Sequence, residues 1–316
     1  MTTPRLLFPA GVKIGSTYLA HCGDPNVDND VDDLTLYPSG DALPNFTGSK
    51  DWKPAVSVDC QEIANALDLM NTDDYFYYDA SGGNVDVYYR GAKSQGMNED
   101  VTDTSKHTVY RLQDNALLVW DSIQVGQDDD GARIALKLIT LHNGSNDPIA
   151  IPEVAVEAAG TIVAPFTVGP IQVNGSTISG IKSMQWQNNY EIITEASDGD
   201  EGPSFVAIRQ LRPLVTFETT DLLTVAGYDC DGTAVTALNV YLRKRRPNKI
   251  NYSDASTEHI KLAAAVGGSP PSGDSCGTLK WTETRGNPGV ARCAVHLHLA
   301  ESATELLTYT KDTAIT

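Results

Sequence analysis

A mainly β fold, built as two tandem homologous antiparallel β-sandwich or barrel domains with one short α-helix each, is predicted by three features of this 316-residue sequence. Apolar and polar residues alternate along many short stretches, the pattern of half-buried strands. A block of sequence occurs twice, the mark of a repeated module. In both copies the period of two gives way to helical spacing at the same point. The domains are expected over 1–155 and 161–316.

The repeat is clearest where Gly40-Asp41-Ala42-Leu43-Pro44-Asn45-Phe46 answers Gly199-Asp200-Glu201-Gly202-Pro203-Ser204-Phe205, 159 residues on. The same separation carries the run from Pro54 to Ile63 onto the run from Pro213 to Leu222. Upstream, Gly15-Ser16-Thr17 matches Gly175-Ser176-Thr177. Downstream, Val87-Tyr88-Tyr89-Arg90 matches Val240-Tyr241-Leu242-Arg243, Trp120 matches Trp281, and Ala132-Arg133-Ile134-Ala135 matches Ala291-Arg292-Cys293-Ala294. The separations drift in loop-like sequence, where insertions are tolerated.

In chain order, an N-terminal arm leads into Val12-Lys13-Ile14. The stretch from Cys22 to Asp33 is rich in Asp with Gly and Pro, and reads as a loop. Leu34-Thr35-Leu36-Tyr37 then alternates as a strand ending at Pro38; its counterpart is the alternating run Ser183–Ile193. After the repeated proline, Val56 and Val58, and Val215 and Phe217, mark a short strand in each copy. Asp59-Cys60-Gln61-Glu62 has the form of a helix start, with Ile63, Ala66, Leu67 and Met70 at helical spacing behind it. In the second copy Thr219 or Thr220 is the expected cap, Leu222, Leu223, Val225 and Ala226 follow, and Gly227 stops the helix. Tyr75–Tyr78, Val85–Tyr89, Ala116–Trp120 and Arg133–Leu141 supply further strands of the first copy, with a hairpin turn at Gly82-Gly83. Ala237–Arg243, Thr278–Trp281 and Ala291–Leu299 supply those of the second. Gly91–Lys106 and Lys244–Glu258 are long polar loops, and Ile151–Gly160 is a strand and linker.

Charge is divided unevenly. Residues 1–160 hold 25 Asp and Glu against 10 Lys and Arg, a net of −15; residues 161–316 hold 16 against 13, a net of −3. The acids concentrate around Asp28, Asp30 and Asp32 and at Asp128, Asp129 and Asp130, whereas the second half carries one basic run, Arg243, Lys244, Arg245, Arg246 and Lys249. These are the candidate inter-subunit contacts, because complementary patches guide register and association. The acidic balance argues against tight wrapping of nucleic acid, whose affinity comes mainly from Lys and Arg. No apolar run is long enough for a membrane helix, and Met1–Phe8 is too short and too weakly charged for a signal peptide. Five cysteines without a C-x-x-C motif read as free thiols.

No catalytic constellation stands out: there is no GxSxG, P-loop, GxGxxG or HExxH. His296-x-His298 puts two imidazoles on one strand face, but no third metal ligand is legible. Asp28-Asn29-Asp30-Val31-Asp32 imitates the opening of an EF-hand loop, with Asp33 where glycine is needed and Ser39 where glutamate is; a solvated acidic loop is the reading. His107 and His259 hold comparable places and read as surface residues on strands. Aromatics at 75–78 read as core and edge residues. Neither an enzyme nor a cofactor site is expected.

The run from Ile181 through Leu223 resembles the tail tube proteins of long-tailed bacteriophages. The resemblance is carried by the alternating run Ser183–Ile193, the turn Ser197-Asp198-Gly199, Gly202-Pro203, and Arg212-Pro213-Leu214-Val215-Thr216-Phe217-Glu218-Thr219-Thr220-Asp221-Leu222. The first copy departs from it at Lys50-Asp51-Trp52-Lys53 and in its Asp-rich flank, so its membership rests on the internal repeat. The resemblance implies β sandwiches with a flanking helix that close into stacked rings. A duplicated chain then forms homotrimeric, pseudo-hexameric rings around a negatively charged lumen. Viral DNA passes without specific binding, the partners are the tape measure, tail terminator and distal tail proteins, and the location is the virion tail after synthesis in the host cytoplasm. The competing readings are another ring-forming tail or capsid decoration protein, and a carbohydrate-binding or hydrolytic β-sandwich protein whose two carboxylates would lie about 5–10 Å apart.

Overall fold

The computed structural model describes residues 7–20, 22–23, 25–37, 39, 43–44, 46–70, 77–79, 84–91, 107–112, 117–127, 129–141, 149–152, 164–196, 202–246, 248, 250–264, 274–284, 286, 289–300, 303 and 305–316, with backbone alone at 29–34, 49–53 and 79. The first half contributes β1 (Leu7–Ile14), β2 (Thr17–Leu19), β3 (Asn26–Leu36), β4 (Phe46–Cys60), α1 (Ile63–Leu69), β5 (Tyr77–Asp79), β6 (Val85–Gly91), β7 (Thr108–Leu112), β8 (Leu117–Gly126), β9 (Arg133–Ile139) and β10 (Ile149–Ala150). The second contributes β11 (Phe166–Val173), β12 (Ser176–Ile178), β13 (Ile181–Gln187), β14 (Glu191–Glu195), β15 (Phe205–Gln210), β16 (Leu214–Thr219), α2 (Leu222–Val225), β17 (Thr233–Val235), β18 (Leu238–Lys244), β19 (His259–Ala264), β20 (Gly277–Thr284), β21 (Val290–Leu297) and β22 (Leu307–Thr313). The protein is mainly β, as the alternation predicts, with every strand pair antiparallel and a short helix following β4 and β16.

Two five-stranded sheets have the orders β2-β1-β6-β7-β10 and β12-β11-β18-β19-β22. Read with residue positions, the second order repeats the first. The irregularity in β1 between Pro9 and Gly11 finds its match in β11 between Val168 and Ile171. A ten-stranded sheet runs β3-β4-β9-β8-β13-β16-β21-β20-β17, with β5 added beside β8. Here too the first four strands and the next four follow one order, and β5 flanks β8 as β17 flanks β20. One hydrophobic cluster takes residues from all three sheets and both helices, including Val12, Val87, Trp120, Trp186, Phe217, Val240 and Leu262. Ile63, Ala66 and Leu67 are the buried face of α1.

Several local expectations are corrected. The Asp-rich stretch is not a loop: from Asn26 onward it is β3, which pairs with β4 from Asn26 opposite Ser57 to Leu36 opposite Phe46. The register sets Asp30 opposite Lys53 and Asp32 opposite Lys50, so the backbone ladder to β4 overrides the poor strand propensity of aspartate. The same strand geometry removes the EF-hand-like reading, since an extended backbone does not wrap a cation. Ser183–Ile193 is not one strand. It breaks at Asn188-Asn189-Tyr190, where Asn189 takes φ +49°, and resumes as β14, which pairs with β15 in a separate two-stranded ribbon.

The second helix is capped by Asp221, whose carboxylate accepts from the Thr224 N–H at 3.2 Å, rather than by Thr219 or Thr220. At the first helix Glu62 holds the N-cap position without a side-chain cap bond; its carboxylate accepts instead from the Ala20 N–H at 2.9 Å. Two sequence matches shift. The two-residue hairpin loops are Gly15-Ser16 and Asn174-Gly175, because Thr17 closes one and Ser176 the other. Trp120 and Trp281 take like places in the sheet, opposite Leu136 and Cys293, and by these positions the match of Ala132–Ala135 with Ala291–Ala294 is two residues out. The Gly82-Gly83 turn, residues 92–106 and 153–160 of the predicted loop and linker, and Tyr75-Phe76 lie outside the described residues.

Candidate assembly surfaces

The long sheet is continuous because the last strand of the first half's four, β8, pairs with the first strand of the second half's four, β13. Gly126, Val125, Gln124, Ile123 and Ser122 face Ser183, Met184, Gln185, Trp186 and Gln187. The Gln127 N–H donates to the Lys182 carbonyl at 2.7 Å and the Asn188 N–H to the Asp121 carbonyl at 3.0 Å. These two bonds bracket the ladder and identify Gly126/Ser183, Gln124/Gln185 and Ser122/Gln187 as the non-hydrogen-bonded pairs, the closely spaced kind.

Trp120 and Trp186 meet beneath this seam, both fully buried, with ring centroids 6.4 Å apart. Asn188, also fully buried, locks the end of the seam by donating its amide N–H groups to the Trp120 carbonyl and the Tyr190 hydroxyl, each at 3.0 Å. Burial pushes the Tyr190 phenol up, away from ionisation. The sequence gives no periodic signal for Asn188, a polar residue in a break; its role follows from the seam alone.

Two edges end the long sheet. On one side β3 is paired only with β4 among the described residues. On the other, β17 covers Gly277, Thr278 and Leu279 of β20, and the edge from Lys280 to Thr284 has no partner strand among the described residues. The corresponding edge of β8 is divided in the same way, with β5 on Leu117–Val119 and β13 on Ser122–Gly126.

One face of the long sheet forms the core; the other is polar. Ser57, Asp59, Arg133, Lys137, Gln124, Ser183, Gln185, Thr216, Glu218 and Arg292 alternate with buried neighbours along their strands, and Lys280 follows the buried Leu279. A groove of about 760 Å³ runs over this face across β8, β13, β16, β21 and β20, lined by Gln124, Gln185, Thr216, Glu218, Lys280 and Arg292 among others. Arg292 pairs with Glu218 at 2.7 Å. Among the described side chains this face carries charges of both signs, with Arg133, Lys137, Lys280 and Arg292 set against Asp28, Asp59, Glu218 and the adjoining Asp129 and Asp130.

Of the candidate contact residues, Arg243 and Lys244 end β18 and are paired within the chain, Arg243 with Asp254 at 2.9 Å and Lys244 with Glu258 at 2.8 Å. Lys244 holds the half-buried Glu258 carboxyl below the usual carboxylate range. Arg245 donates to the Gln127 carbonyl at 3.3 Å, which sets it beside the turn carrying the exposed Asp129 and Asp130. The structure thus joins part of the basic run to the acidic turn across the two halves of one chain. Arg246 stacks on Tyr252 at 4.4 Å. Asp28 is exposed on the edge strand β3, with Asp30 and Asp32 further along it, whereas the basic run ends β18 in a different sheet. Lys249 and Asp128 lie outside the described residues.

His296 is exposed on β21 and His298 lies beyond its end, where its Nε2 is 3.4 Å from the Ser275 hydroxyl. Among the described residues no group of three or more His, Cys, Asp or Glu is placed to hold a metal ion, and no helix is long and apolar enough to cross a membrane. No protein-family model and no curated protein matches the chain.

Proposed function

We propose that the chain is the tail tube subunit of a long-tailed bacteriophage, a non-enzymatic virion protein. Its two domains, 1–155 and 161–316, are tandem copies that occupy neighbouring positions in a ring. Three chains close that ring with approximate sixfold symmetry, and rings stack into the tube. The observation that carries this reading is the β8–β13 seam. It joins two equally ordered sets of strands head to tail in one sheet and, among the described residues, leaves a strand edge unfilled at each end. A head-to-tail contact that repeats closes a ring when its rotation allows, and closure removes edges that would otherwise invite aggregation.

The matched strand orders, the helices that begin at Ile63 and Leu222, and the repeated sequence blocks support the duplication. The polar face of the long sheet is the proposed channel wall. Its interspersed charges of both signs offer DNA no dominant positive patch, while the net charge of −18 sets a repulsive field over the whole particle. That is a softer version of the acidic lumen expected from composition. The tape measure, tail terminator and distal tail proteins follow as partners from the resemblance. Microscopy of concentrated protein tests the proposal: rings or tubes with three chains per ring are expected, and six chains per ring, dimers or dispersed monomers count against it.

A further inference from the structure

We infer that the edge of β20 from Thr282 to Thr284 binds the β3 edge of a second copy of this chain, antiparallel, with Thr282 opposite Asp28 and Thr284 opposite Asn26. This rests on the tube reading and adds to it the register of the contact between chains.

The register of this contact transfers from the seam the chain already makes. Strand β3 stands to β4 as β13 stands to β16: Asn26 faces Ser57 and Gln185 faces Thr216, both pairs separated by the same 159 residues between copies. Pro54 and Pro213 are likewise equivalent. Asn29, opposite Pro54, therefore holds the register position of Asn188, whose carbonyl accepts from the neighbouring Arg212 N–H at 2.9 Å. On the other side, Trp120 faces Leu136 as Trp281 faces Cys293. Strand β8 then carries one extra residue, Asp121, before Ser122 resumes the ladder opposite Ala135, whereas β20 continues without a break, Thr282 opposite Arg292. Ser122 thus corresponds to Thr282 and Gln124 to Thr284.

Because Ser122 pairs with Gln187 and Gln124 with Gln185, the contact between chains sets Thr282 against Asp28 and Thr284 against Asn26. Both are closely spaced, non-hydrogen-bonded pairs, as their counterparts are. The next position of the same parity puts Lys280 opposite Asp30, a basic residue against an acidic one, the arrangement that favours one partner and register over others. The exposed Asp28, a charge on an edge strand of the kind that discourages indiscriminate pairing, is then suited to this one edge.

Paired cysteines test the register. Thr284→Cys with Asn26→Cys, and separately Thr282→Cys with Asp28→Cys, are made in a Cys230→Ser background, since Cys230 is the exposed native thiol. Thr284→Cys with Asp28→Cys is the out-of-register control. Assembled protein is oxidised with copper phenanthroline and run on non-reducing gels. Both in-register pairs are expected to give covalent species that end at the trimer and vanish with dithiothreitol, at least tenfold more than the control. Rings that form, by microscopy under reducing conditions, yet crosslink equally in the control, or in neither in-register pair, overturn the register and leave the tube reading standing. Absence of rings in all variants and in the unmodified chain overturns both.

Discussion

The Nδ1 atoms of His107 and His259 do the same work in the two halves. His107 accepts from the Gly91 N–H at the end of β6 at 3.1 Å, and His259 accepts from the Lys244 N–H at the end of β18 at 3.2 Å. Both rings are buried, not the surface residues the sequence suggests. His259 Nε2 also lies 2.9 Å from the Ser253 carbonyl, so with Nδ1 accepting, Nε2–H donates. The ring pins the long connection after β18 to the sheet. Removing it leaves partly buried backbone groups unsatisfied, at a cost of about 1–3 kcal/mol each. His259→Ala and His107→Ala are each expected to lower unfolding free energy in urea by about 2 kcal/mol. A change within about 0.5 kcal/mol, the range of neutral surface substitutions, contradicts the pinning role.

Trp186→Ala is expected to cost about 3–5 kcal/mol, the usual range for emptying a large aromatic site. Because Trp186 packs on Trp120 across the seam, a double-mutant cycle with Trp120→Phe should return a coupling of about 0.5–1.5 kcal/mol. Additive effects would mean that the rings pack without specific contact.

Asp221 links stability to pH. Partial burial raises its carboxyl, but hydrogen bonds from the Ser179 and Thr224 N–H groups outweigh this and hold it below its ordinary value of 3.8. A folded value below the unfolded one adds stability above the unfolded value, and that stability is lost as pH falls through the folded value. Asp221→Ala should therefore lose about 1 kcal/mol at neutral pH, as a deleted N-cap does, and the variant and parent stability curves should converge in acid. Parallel curves down to pH about 2, well below the ordinary aspartate range, would refute the assignment.

The basic run offers a test of assembly separate from folding. Arg243 and Lys244 are committed to Asp254 and Glu258, so Arg245→Glu with Arg246→Glu is the cleaner reversal. Because it also removes the Arg245 bond to the Gln127 carbonyl and the Arg246 stack on Tyr252, the pair is expected to lower the thermal melt of the monomer slightly and to reduce ring formation well beyond that loss. Normal ring yield would remove these residues from any contact between subunits.

Much of this architecture is legible in the sequence because burial enforces a strict period. Val56 and Val58, Val215 and Phe217, and Ile63, Ala66 and Leu67 all face the core as their spacing indicates. What escapes is set by partners distant in the chain. The aspartates of β3 lie in a strand because the backbone from Asn26 to Leu36 pairs with β4 from Ser57 back to Phe46. Asn188 matters because the Trp120 carbonyl comes to it from 68 residues away. The two histidines are buried because a strand end closes over each, which no local pattern announces.

The β8–β13 seam is formed inside one polypeptide, and that changes how a ring would nucleate. Every joint made within a chain is complete when the monomer folds and loses no translational freedom at assembly. A tethered partner also meets its site at an effective concentration that dilution does not lower. Half of the joints in the proposed ring are of this kind. The concentration threshold for growth would then fall relative to a ring of separate single domains, and partly built arcs would be shorter-lived. A chain cut between its halves should therefore assemble only at higher protein concentration, even with every contact surface intact.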